Sequence, residues 1–132
     1  MIAVLDADLL IGALDATDAH HPRAVRHFET WQADGTQRLV SLITLSEVLV
    51  APAANGARLS AAREAIAALG IRIHTPNESI AVDAARLRGS HPISLPDAYA
   101  VATTRQVGGQ LFSFDRKIIR AATHAGVLVG SG

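Results

Sequence analysis

Four short apolar runs alternate with longer stretches of helical periodicity, and this alternation limits the possible folds most. The runs cover residues 1–5, 38–42, 71–74 and 110–114, each too short to be a stable helix. The first has no polar residue between its apolar ones, as in a strand covered on both faces. Leu9, Leu10, Ala13 and Leu14 follow at helical spacing. Pro22 suits the first turn of a second helix running to about residue 34, with Ala24, Val25, Phe28 and Trp31 inward and Gly35 closing it. Further helices are expected over 43–50 (ended by Pro52 and Gly56), 60–69 (capped by Ser60, stopped by Gly70) and 77–87. Residues 89–92 read as a loop. Ser94-Leu95-Pro96-Asp97 starts a helix that reaches 107 and is ended by Gly108 and Gly109. Residues 116–125 make the last helix and 127–129 a weak last strand.

Strands that alternate with helices imply an α/β fold: a parallel sheet of about four to five strands with helices on both faces. The chain has 132 residues and no linker, repeat or low-complexity stretch, so one domain over 1–132 is expected.

Composition narrows the chemistry. Residues are 49% apolar but only 4% aromatic, so Ala, Val, Leu and Ile must fill the core. Formal net charge is zero, so a polyanion would have to be held by a local patch. The bases are nearly all Arg, with Lys117 the only Lys. The absence of Cys excludes disulfides, zinc thiolates and thiol nucleophiles. No apolar run approaches the ~20 residues that cross a membrane. The N-terminus lacks a signal-peptide pattern, and the cytoplasm is the expected location.

Ligands of open parallel sheets bind beyond the C-terminal ends of the strands. Asp6 follows the first strand and Asp115 the fourth. Glu47 lies about one helical turn past the second, and Asp97 opens the helix before the fourth. Each has an ordinary reading taken alone: Asp6 and Asp115 as helix caps, Asp97 in a capping box with Ser94, Glu47 on a solvated face. Their neighbours weigh against it. Glu47 is embedded in the apolar segment 42–50, and Asp97 leads into Ala98-Tyr99-Ala100-Val101-Ala102. Acids among apolar residues are costly to bury unless paired or bound to metal. Magnesium or manganese favours such an all-oxygen set, where it can activate water and offset charge on a phosphodiester.

At these residues the chain resembles a PIN domain, most of all a VapC-type toxin ribonuclease. The resemblance runs through Val4-Leu5-Asp6-Ala7-Asp8-Leu9-Leu10-Ile11, Thr44-Leu45-Ser46-Glu47-Val48, Leu95-Pro96-Asp97-Ala98-Tyr99-Ala100-Val101-Ala102-Thr103 and Leu111-Phe112-Ser113-Phe114-Asp115-Arg116. It implies a PIN-like sandwich whose Asp6, Glu47, Asp97 and Asp115 bind one or two Mg2+ or Mn2+ ions, with Ser113 supporting them. It further implies an endoribonuclease that forms homodimers, cuts structured RNA and is held inactive by a cognate VapB-type antitoxin. One position departs: Asp8 stands where the family usually has Ser or Thr. Asp8 either caps the first helix or adds a carboxylate to the site.

Arg116, Lys117 and Arg120 could hold RNA phosphates beside the acids, or could form a solvated helix face. Arg86, Arg88 and Arg105 are weaker candidates. His20 and His21 are adjacent in an expected loop and the other four histidines are scattered; all six read as surface residues. Phe28 with Trp31 read as core or as a dimer contact, and Tyr99 as core.

Three rivals remain. Asp6-Ala7-Asp8 also suits a phosphatase of the haloacid dehalogenase type, although Lys117 is misplaced for steadying a phosphoryl group; a receiver-like domain meets the same objection. A PIN-like scaffold or RNA-binding module without catalysis is a second. A DNA substrate is a third, because the choice of RNA rests on the resemblance alone.

Overall fold

The computed structural model describes residues 1–131; Gly132, the last residue of the expected 1–132 domain, lies outside the described residues. The sheet has four strands, β1 (Ile2–Leu5), β2 (Gln37–Ser41), β3 (Ile71–His74) and β4 (Gln110–Phe112), in the order β3-β2-β1-β4. Every neighbouring pair is parallel, with Leu5 opposite Phe112 and Val4 opposite Leu39.

Side chains alternate across the pleat and divide the core in two. Val4 and Leu111 face the layer containing α5 (Glu78–Ser90), α6 (Leu95–Val107) and α7 (Arg116–His124). Ala3, Leu5, Val40 and Phe112 face α1 (Ala7–Leu14), α2 (His21–Asp34), α3 (Leu42–Leu49) and α4 (Gly56–Ala68). Phe28 and Trp31 are buried in this second layer, and Tyr99 packs against the first. The α/β sandwich with helices on both faces is therefore as expected.

Several local expectations differ. Residues 127–129 add no strand; Val129 makes only an isolated bridge to Leu111. Strand β4 stops at Phe112, because the next residues turn to give their polar groups to carboxylates. Helix α4 begins at Gly56, not Ser60. Asn55 caps it by accepting from the N–H groups of Ala57 and Arg58, at 2.9 and 3.1 Å. Helix α5 runs on through Ser90, past the loop expected from 89.

The strand order sets where a site can form. From β1 the chain steps outward through β2 to β3, then returns to the other side of β1 with β4. The order therefore reverses between β1 and β4, and the cleft beyond their C-terminal ends is where such sheets bind ligands. The backbone N–H of Asp6 joins these two ends, donating to the Phe112 carbonyl across 3.0 Å.

Candidate active site

Asp6 stands at the N-cap position of α1, yet its side chain makes no capping bond. It is 2% exposed and instead turns to β4, where the Ser113 hydroxyl donates to its Oδ2 across 2.9 Å. Its Oδ1 is buried with no hydrogen-bond partner among the described residues. Burial, reinforced by the charges of Asp8 and Asp97, pushes the Asp6 carboxyl up to about 7.

Asp8 is not a cap. Its Oδ2 accepts the Phe114 N–H at 2.9 Å and lies 3.3 Å from the Ser113 hydroxyl. It thus pins the turn after β4. Burial raises its pKa first, and the Asp115 charge adds to that. Ser113 has a single hydroxyl proton to share between two carboxylates, and the same oxygen accepts the Asp115 N–H at 3.0 Å.

Asp115 caps α7, its Oδ1 accepting from the Lys117 N–H at 2.8 Å. Ser94 caps α6 by accepting the Asp97 N–H at 3.3 Å, which orients the first turn carrying Asp97. Glu47, in the last turn of α3, has a buried Oε1 without a partner among the described residues. Its carboxyl is raised by burial and then by the charge of Asp97. So Asp97 presses on both Asp6 and Glu47, Asp8 presses on Asp6, and Asp115 presses on Asp8.

Among the described residues, no three His, Asp or Glu side chains close into a ready-made metal shell. The donor set nonetheless suits a hard cation. Two buried carboxylate oxygens, Asp6 Oδ1 and Glu47 Oε1, have no hydrogen-bond partner among the described residues. Both belong to acids that repel the same Asp97, a repulsion that a cation between them relieves.

Of the expected basic contacts, Arg116, Lys117 and Arg120 are all exposed. Lys117 and Arg120 line a separate cleft with His91 and His124. The histidines are less superficial than expected: only His124 is exposed. His20 stacks on Phe114 at 4.4 Å between ring centroids, and His27 stacks on Trp31 at 5.3 Å. Arg23 also lies over Phe114, 4.6 Å from its centroid. These aromatic faces shelter the imidazoles, which spacing along the chain did not suggest. The bridging role of Asp8 was equally hidden, since a carboxylate early in a helix reads as a cap.

The family model for the PIN domain matches residues 3–123. The chain belongs to the PIN-domain family. Among solved structures, this PIN domain is similar to a toxin–antitoxin complex from Klebsiella pneumoniae at 26% identity, covering 89% of each chain with a TM-score of 0.72. It is also similar to Mycobacterium tuberculosis VapC20, described as a sarcin–ricin-loop-cleaving toxin, at 20% identity, 96% of each chain and a TM-score of 0.72. A third is VapBC2 from Rickettsia felis bound to a promoter DNA fragment, at 14% identity, 98% of each chain and a TM-score of 0.77. At 20% and 14% identity the likeness shows the fold alone. No curated protein matches the chain. Among the described residues, no helix is long and apolar enough to cross a membrane.

Proposed function

We propose that this PIN domain is a metal-dependent endoribonuclease, the toxin of a toxin–antitoxin pair. Asp6, Glu47, Asp97 and Asp115 would hold magnesium or manganese. The observation that carries this reading is a pair of buried oxygens with no partner among the described residues: one on Asp6, at the end of β1 where the strand order reverses, and one on Glu47, which shares with Asp6 the charge of Asp97.

When bound, the cation lowers the pKa of water and offsets the negative charge growing on the phosphodiester. The chain's own groups orient and support. Ser113 fixes the rotamer of Asp6, Asp8 holds the turn that presents Asp115, and Ser94 sets the first turn of α6. The burial of Asp6 keeps bulk water from screening its own carboxylate, whereas Asp115 at the other side of the set is exposed.

RNA as substrate rests on the resemblance of the four acid-bearing segments to PIN-domain ribonucleases, and the toxin role is supported by the Klebsiella complex. A cognate VapB-type antitoxin, a homodimer and a cytoplasmic setting complete the proposal, with 1–132 as one domain. The phosphatase alternative would require a Lys beside Asp6, whereas Lys117 lines the cleft with His91 and His124.

The test is cleavage of total RNA with manganese, with magnesium and with EDTA, using Asp6→Ala as control. Discrete fragments that require both metal and Asp6 support the proposal. Intact RNA under every condition moves the reading to a non-catalytic RNA-binding module.

A further inference from the structure

A site built of carboxylates repels the polyanion that it is proposed to cut, so the strand must be held by cations close by. The chain's net charge of zero means these cations must be gathered locally. One cleft gathers them. It has a volume of about 230 Å³, its basic lining residues are His91, Lys117, Arg120 and His124, and no acid lines it among the described residues.

Its two walls are placed by the fold. Lys117, Arg120 and His124 recur at helical spacing on α7 and so share one face of it. From Lys117 to His124 the face rises about 10 Å. Opposite stands His91, just past the end of α5, whose Nδ1 lies 3.4 Å from the Leu87 carbonyl. The two imidazoles meet edge to face at the cleft, their centroids 6.3 Å apart and their planes at 65°.

Each wall leads into the acid site. α7 begins at Asp115, its cap, two residues before Lys117. The segment from His91 runs through Ser94 into the first turn of α6, which carries Asp97. The cleft is therefore joined along the chain to two of the acids, Asp115 two residues before Lys117 and Asp97 six residues after His91, and Arg116, on the same helix, is not among its lining residues.

We propose that this cleft binds the phosphodiester backbone of single-stranded RNA beside the bond to be cut. Lys117 and Arg120 supply the main charge, and His91 and His124 supply hydrogen bonds from both walls. Such contacts hold the strand in register without reading its sequence. The proposal rests on the nuclease reading for its purpose, but its test does not depend on cleavage.

The test is binding of a fluorescent mixed-sequence single-stranded RNA in EDTA, at several salt concentrations. It compares the parent with Lys117→Gln/Arg120→Gln and with Arg63→Gln/Arg72→Gln. The second pair removes the same charge from α4 and β3, and all four side chains are exposed, so the fold is kept. For single strands the slope of log affinity against log salt is about −0.7 per phosphate neutralised. The cleft variant is expected to bind at least ~10-fold more weakly at low salt, with a slope flatter by about 1.4. The α4/β3 variant is expected to match the parent. If this pattern appears in a protein that cuts no RNA, the cleft stands and the nuclease reading falls. Three results overturn the cleft: equal binding by the cleft variant, an equal loss in the α4/β3 variant, or a parent that does not bind RNA.

Discussion

The Ser113 hydroxyl donates to Asp6 Oδ2 across 2.9 Å, tying the end of β4 to the end of β1 over a sequence separation of 107 residues. One side chain thereby positions the most buried acid of the site and, through its acceptance of the Asp115 N–H, the last one.

Ser113→Ala removes both interactions. Loss of a hydrogen bond to a carboxylate, with an N–H left without its acceptor, costs about 1–3 kcal/mol. Metal affinity or cleavage rate should fall about 10- to 100-fold, as for partners that orient metal ligands. Ser113→Thr keeps the hydroxyl and should retain most of the activity. Urea unfolding and cleavage kinetics check both parts; an unchanged Ser113→Ala enzyme contradicts the positioning role.

Asp8 separates geometry from charge. Asp8→Asn keeps an oxygen to accept the Phe114 N–H but removes the charge that presses on Asp6. The metal-free variant should melt several degrees above the parent at pH 8, where about 1 kcal/mol corresponds to roughly 4 °C in a chain of this size. Asp8→Ala orphans the Phe114 N–H and should melt below the parent. A thermal scan in EDTA decides, and the same order for both substitutions contradicts the account.

Asp6 gives the metal-free protein a pH dependence of definite sign. Its carboxyl sits at about 7 when folded, against 3.8 as the ordinary value. Below about pH 4 both states are protonated and the contribution is fully present. As pH rises toward 7 the unfolded chain releases the proton first, and stability on the order of 4 kcal/mol is lost. Asp6→Asn should abolish this component, so the parent and the variant should diverge as pH rises from 4 to 7. Denaturant titrations in EDTA at several pH values measure it; parallel curves contradict it. Magnesium should restore stability at the upper end.

Two glycines should respond oppositely to alanine. A Cβ at Gly109 would lie 2.6 Å from the Ile2 carbonyl oxygen, so Gly109→Ala must push β1 from β4 at about 1–3 kcal/mol. Gly89 lies in the last turn of α5, where an added Cβ would meet nothing within 4 Å outside its own helix, so Gly89→Ala should stabilise by at most about 0.5–1 kcal/mol. Unfolding midpoints measure both.

Periodicity and punctuation made most of the architecture legible in the sequence. The unbroken apolar run at β1 marked a strand covered on both faces, and Gly35 and Gly108 end α2 and α6 at positive φ, 74° and 67°. What stayed hidden depended on partners far along the chain. Nothing near Asp8 reveals that its carboxylate meets Phe114 more than a hundred residues later. Phe114 reads as strand because its apolar side chain fits one, while its N–H is drawn away by Asp8. Ser60 is the cap of α4 expected from the sequence, and only the two bonds accepted by Asn55 show that the helix starts earlier. The acids were conspicuous for being set among apolar residues, but the sequence did not say which oxygens would lack partners.

The central claim is that these acids are gathered to hold a divalent cation. Calorimetric titration of manganese into the metal-free protein at pH 7, in buffers of different ionisation enthalpy, tests it most directly. The account predicts saturable binding that releases protons, because Asp6 must give up its own, and loss of that binding in Asp6→Asn. Absence of saturable binding in the parent, or equal binding by Asp6→Asn, would contradict it.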